Sequence, residues 1–272
     1  LIQKLINRNN MKKTALISIT LAMLAAACSN DESGKFGFIH EIPLSTNIEM
    51  DIDELNVNSG ICNFSFDFLN EMAASGQGRD NDNNLCISPL SASLALAMLA
   101  NTADDATTAD INKLLGAENL ATLNSTMNKL IRYLPSRGTG TQLELANSAW
   151  FHTSYPIAQA YEDALGRTFY AETNSKDFDD PATIDFVNGW CNEKSHGLIP
   201  SIINELDSRN IFMLVNALYL CGKWSEPFDT ADTRDMNFTG SDRRVTTAMM
   251  HSEEKSYYLE SELAEAAAIS FD

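Results

Sequence analysis

The segment IFMLVNALYLCGKW, Ile211 to Trp224, constrains the fold of this chain more than any other. From Phe212 to Leu220 it holds one polar residue, Asn216. Read as a strand, its odd positions are Ile211, Met213, Val215, Ala217 and Tyr219. Its even positions are Phe212, Leu214, Asn216, Leu218 and Leu220. Side chains alternate across a strand, so both faces are apolar and both must be covered. The chain therefore has to supply a layer on each side of a sheet. It must also supply a polar partner for Asn216, because an unpaired buried amide costs about 1–3 kcal/mol.

Helical periods supply the covering layers. Ile61, Phe64, Phe68, Leu69 and Met72 fall on one face of a helix, and residues 76–84 form a polar, Gly-rich loop. LCIS, residues 85–88, is a short strand candidate. Ser88 precedes Pro89, an N-cap with proline at the first helical position. Leu90 to Ala100 is apolar nearly all round, which predicts a buried helix. A second amphipathic helix follows, with Thr107 as candidate cap and Gly116 as stop. Residues 143–154 read as a strand ending in aromatics. Ile157, Tyr161, Leu165 and Phe169 mark a further helix, and Asp180-Pro181 opens another that carries Ile184, Val187, Trp190 and Cys191 on one face. MNFTG, RRVTTAMM, KSYYLES and AAAISFD are short segments of β character after Trp224. The fold class is α+β.

The 272 residues, 44% hydrophobic, suffice for one substantial core or two small domains. Lys and Arg number 19 against 37 Asp and Glu, a formal net charge of −18, with no basic cluster beyond residue 13. Nucleic acid is excluded as a partner on that ground, since phosphate binding needs Lys/Arg patches. Cys62, Cys86, Cys191 and Cys221 are far apart and form no C-x-x-C pair. They are expected to be buried free thiols and to bind no metal, although export would permit disulfides. The four histidines, His40, His152, His196 and His251, lie in no H-E-x-x-H and beside no G-x-S-x-G, and there is no Gly-rich phosphate loop. Ser88 with a distant histidine is a conceivable nucleophile pair, but Ser88 is better placed as a helix cap. The chain is expected not to be an enzyme and to need no cofactor.

The N-terminal region reads in four parts. Residues 1–10 precede Met11 and are expected to be an upstream extension of the reading frame. Residues 11–27 carry a basic pair, Lys12-Lys13, and an apolar stretch too short to span a bilayer comfortably, as a secretion signal does. Ala25-Ala26-Ala27 directly before Cys28 resembles the lipoprotein processing box of bacteria, in which the cysteine is lipidated, although the preferred leucine sits one place early as Leu24. An ordinary cleavage site with a chance cysteine is the alternative. SNDES, residues 29–33, resembles the surface-export tag of some Gram-negative lipoproteins. Residues 28–59 are expected to be a polar tether. The expected location is outside the cell, lipid-anchored to the outer membrane and facing outward or extracellular.

The motifs NLCISPLSASLALAMLA, LANSAWF, FYAETNSKDF, FVNGWCNEKSHGLIPSII, LVNALYLCGKWSEPFD and VTTAMM, in that order, resemble the serpin family over about residues 60–272. The resemblance implies a large central sheet surrounded by helices. It implies inhibition of serine proteases, or of cysteine proteases, by a reactive loop that is cleaved and then inserts into that sheet as a new strand. It carries Ser88, Pro89 and Ser91 to the buried helix behind the sheet's opening region. It carries Asn216 to the strand beside which the loop inserts, and Lys223 and Trp224 to the entry point, with Pro227 and Phe228 completing the motif. Each has a plainer reading: cap, satisfied core amide, packed aromatic. The chain departs from the family at Asn101-Thr102, Leu220-Cys221 and Ser195-His196-Gly197. ELAEAAAISFD, from Glu262, looks like an Ala-rich loop hinge, but its spacing fits an earlier strand. Residues 60–272 are therefore expected to be a partial serpin domain lacking the reactive loop, inactive alone. A non-inhibitory serpin, acting as a lipid-anchored binding or structural module, is the alternative.

Overall fold

The structure, a computed structural model, describes residues 18–19, 44–45, 47–79, 84–137, 140–207, 209–240, 243–253, 257–260 and 265–271. The chain divides into two compact units, Leu1–Ser136 with Leu143–Leu220, and Arg137–Gln142 with Cys221–Asp272. No helix among the described residues is long and apolar enough to cross a membrane.

Among the described residues, six helices build the first unit: α1 (Ile52–Ser75), α2 (Pro89–Ala100), α3 (Asp105–Leu114), α4 (Leu120–Tyr133), α5 (Gln159–Phe169) and α6 (Ala182–Lys194). Its sheet runs in the order β1 (Ser18–Ile19), β5 (Phe212–Gly222), β3 (Thr141–His152) and β2 (Ser136–Arg137), with β4 (Glu172–Lys176) paired in parallel to β3. Ser18 and Ile19 lie parallel to Met213 and Leu214 of β5. The strands β3 and β5 run in opposite directions, since His152 N–H donates to Ile211 C=O while Asn216 lies beside Ala146 and Asn147.

The two apolar faces of β5 meet two different layers. Leu214, with Phe212 and Leu218, joins the main core with α1 to α5. Met213, Val215 and Ala217 pack instead with Trp150, Val187, Trp190 and Cys191 beneath α6. Residues Met213 to Ala217 are all at most 3% exposed, as a doubly covered strand requires. Helix α2 is buried from Ser91 to Ala100, in keeping with its apolar circumference.

Several elements differ from the sequence expectation. Helix α1 starts at Ile52, inside the stretch read as tether, because Asp51 and Glu54 form a reciprocal capping box. Its core face is Val57, Ile61, Phe64, Phe68 and Met72, and Leu69 is exposed. The cap of α3 is Asp104, whose carboxylate accepts the Thr107 N–H at 2.8 Å, so Thr107 is the donor and not the cap. Gly116 does stop that helix, at φ 72°. Residues 85–88 form no strand beyond a single Arg79–Leu85 bridge. Helix α4 was not anticipated. It has an Asn119 cap and buries Leu123, Met127, Leu130 and Ile131. Of the cysteines, Cys191 is the buried free thiol expected, whereas Cys62 and Cys86 are free but exposed.

The second unit contains the antiparallel hairpin β6 (Arg234–Thr239) with β7 (Arg244–Met249), and the pair β8 (Tyr257–Glu260) with β9 (Glu265–Ala268). All four were legible as β segments.

Candidate functional site

The sequence points to two places, one in each unit. In the first, Ser88 caps α2: its Oγ accepts the Ser91 N–H at 3.3 Å and lies 2.8 Å from Ser91 Oγ. Pro89 occupies the first turn, where its missing N–H costs nothing. Ser91 is fully buried. The hydrogen bonds of these serines stay within the start of α2, and no histidine takes part in them.

Asn216 faces the helical core from β5 and is 1% exposed. Its Nδ2 donates to Ala146 C=O at 3.1 Å and to Asn147 Oδ1 at 2.7 Å. Asn147 in turn donates from Nδ2 to Phe169 C=O at 2.8 Å. That carbonyl is one of the last of α5 and has no intrahelical partner of its own. Two amides thus tie β5, β3 and the end of α5 together. Asn147 was missed in the sequence; the only signal was its place inside LANSAWF. The Asn216 Oδ1 acceptor is buried without a hydrogen-bond partner among the described residues. Such orphans are costly and uncommon.

In the second unit, Gly222 and Trp224 flank Phe271. Trp224 stacks on the Phe271 ring with centroids 4.7 Å apart and planes 12° from parallel, and Phe228 meets it edge-on at 6.0 Å. Ser225 N–H donates to Ser270 C=O at 3.0 Å. A Cβ built on Gly222 would stand 2.6 Å from Phe271 Cδ1, which explains the glycine before Lys223. Lys223 is exposed and its N–H donates to Gly140 C=O at 2.9 Å. Pro227 is exposed and Phe228 half-buried.

A histidine–aspartate cluster invites a metal reading. His152, Asp177 and Asp179 present ligand atoms within 4.8 Å of one another. However, His152 Nδ1 accepts the Ser154 N–H at 3.0 Å. The neutral ring then carries its proton on Nε2, the atom that faces Asp177 Oδ1 at 3.8 Å. A metal-ligating histidine normally donates its second N–H outward, the reverse of this arrangement. The donor set does not fit a metal centre.

Residues 59–272 match the family model described as Serpin (serine protease inhibitor). The chain belongs to the serpin family. It is 30% identical over 184 residues to Serpin-ZX of Arabidopsis thaliana, covering 65% of this chain and 47% of that one. It is 28% identical over 206 residues to the plasma serine protease inhibitor of Bos taurus, covering 74% and 50%. Among solved structures it resembles native tengpin, a thermophilic serpin, at a TM-score of 0.71 and 28% identity over 86% of this chain and 58% of tengpin. The chain spans about half the length of the curated serpins it matches. The α+β serpin fold expected from the motifs is the fold observed. Cys28 lies outside the described residues.

Proposed function

We propose that this chain forms the strand-receiving part of a serpin that traps serine proteases, with cysteine proteases as the second target class. The observation that carries this reading is β5: a strand covered on both faces, with the buried Asn216 holding an amide oxygen that has no donor among the described residues. In this reading residues 11–27 are removed as a signal, which vacates the edge of β5 that Ser18 and Ile19 hold at Met213 and Leu214. A strand added at that edge gains a ladder of backbone hydrogen bonds and buries apolar surface, and that free energy is what a spring-loaded trap spends on distorting its protease. A donor arriving with a flanking strand would satisfy Asn216 Oδ1. Trp224, stacked on Phe271, marks the end of the strand at which entry begins. In this reading Ser88, Pro89 and Ser91 fix the start of the buried helix α2. The test is to mix the complete protein with a panel of serine and cysteine proteases and look for a covalent complex stable in SDS.

The partner at the other end of the molecule is a membrane. Lys12-Lys13, the apolar stretch and Ala25-Ala26-Ala27-Cys28 support export and lipidation at Cys28, with the tether holding the domain outside the outer membrane. Cys28→Ala should release the protein from the membrane fraction. Unchanged membrane association would refute the anchor.

A further inference from the structure

Helix α1 has a second apolar face. Its inner face is buried in the core, and on the outer side Ile52, Leu55, Ser59, Cys62, Phe66 and Leu69 recur at alternating steps of three and four residues. Ile52 is 70% exposed, Leu55 46%, Phe66 69% and Leu69 42%, while Ser59 and Cys62 are also exposed. This is the seam of a heptad repeat, held for about 27 Å of helix. The residues that border the seam are Asn56, Asn63 and Asn70 on one side and Asn58 and Ser65 on the other. None is charged. The four acids of α1, Asp53, Glu54, Asp67 and Glu71, all lie at other positions of the repeat.

We infer that this face of α1 packs against the same face of a second copy of the chain, with the two helices antiparallel about a two-fold axis. Three features select that occupant. The chain carries a net charge of −18, so identical copies repel across most of their surfaces, and the outer ridge of α1 has only Asp51, at its end, to set against a copy, where the two-fold axis places it opposite the neutral Asn70. The stripe is also self-complementary. A two-fold axis midway between Ser59 and Cys62 sets Ile52 opposite Leu69, Leu55 opposite Phe66 and Ser59 opposite Cys62. Large side chains then meet at both ends and small ones at the centre, where the helices approach closely. Finally, a membrane surface would call for Lys or Arg beside the apolar stripe, and the border is amide and hydroxyl. A seam about 27 Å long stands at the low end of stable interfaces, so the dimer is reversible and depends on concentration.

Cys62 reports on the seam directly. The experiment combines sedimentation velocity across a concentration series with a short bis-maleimide, in a Cys86→Ser background where Cys62 is the exposed free thiol among the described residues. The expected result is a concentration-dependent dimer and a cross-linked dimer that disappears on Cys62→Ser. Phe66→Glu should weaken dimerisation about tenfold or more. Because Phe66 is exposed, the far-UV spectrum should be retained; Asn63→Asp, which adds like charge at the border without touching the core, should weaken the dimer too. A monomer at every concentration would overturn the inference. So would a dimer unaffected by Phe66→Glu and Asn63→Asp, or binding of the Phe66 face to neutral phosphatidylcholine vesicles without dimerisation.

Discussion

Asn147 has no slack in its hydrogen bonding: it accepts from Asn216 and donates to Phe169 C=O, at 3% exposure. Asn147→Ala leaves one N–H of the buried Asn216 amide and a helix-end carbonyl unpaired, while the Asn216 bond to Ala146 C=O remains, and should destabilise the protein by about 1–3 kcal/mol. An unchanged urea midpoint would contradict this. Gly222→Ala should destabilise the second unit, since the new Cβ meets the Phe271 ring at 2.6 Å, and Phe271→Ala should restore part of the loss. Thermal melts of the two single variants and the double variant check it; additive losses would show no contact. Burial pushes the Cys191 thiol up to about 12, so a maleimide should modify Cys62 and Cys86 in the native protein and spare Cys191. At this scale the sequence reveals residues that break a pattern. Asn216 was legible because it interrupts an apolar run. Asn147 was not, because nothing in its strand marks it off, and its importance comes from α5, which only folding brings to it. Asp104 and Thr107 are both good caps by type, and the choice between them rests on which N–H faces which carboxylate.

The crossing of α1 with the end of α3 depends on two glycines. A Cβ on Gly60 would stand 2.4 Å from the Leu115 carbonyl oxygen, and one on Gly116 would stand 2.8 Å from the Asn56 carbonyl oxygen. These are backbone atoms that cannot rotate away. The start of α1 is pinned to α4 by Glu54, which is 3% exposed and receives Lys129 Nζ and Ser125 Oγ. Burial works against the charge on Glu54, but Lys129, Ser125 and the Asp51 N–H outweigh it, and the carboxyl is held below its ordinary value. A lowered pKa in the folded state contributes stability above the ordinary carboxylate range, and that contribution is lost as pH falls through the folded-state value. Glu54→Gln should therefore cost stability at pH 7 and much less at about pH 3. A pH-independent difference would show that the charge is immaterial. Long periodic elements such as α2, α5, α6 and β5 were legible from the sequence. Helix α4 was not, because its cap and apolar positions resemble nothing in the motifs that carried the reading. The outer stripe of α1 is only half legible: the period places Leu69 in the core because the two faces of that helix are both apolar.

At the scale of the molecule, two layers cover β5 as its composition demanded, and the order of motifs identifies the family over residues 59–272. What is not legible is the partnership between amides at Asn147 and Asn216, or the oxygen of the second that has no donor among the described residues. The proposal that this fold serves a protease trap stands on that strand and its unmet acceptor. It meets its most direct test in the complete protein incubated with serine and cysteine proteases and resolved by denaturing electrophoresis. A covalent complex that survives SDS, formed at the expense of intact inhibitor, is the expected result. Cleavage of the protein by every protease tried, with no such complex, would contradict it.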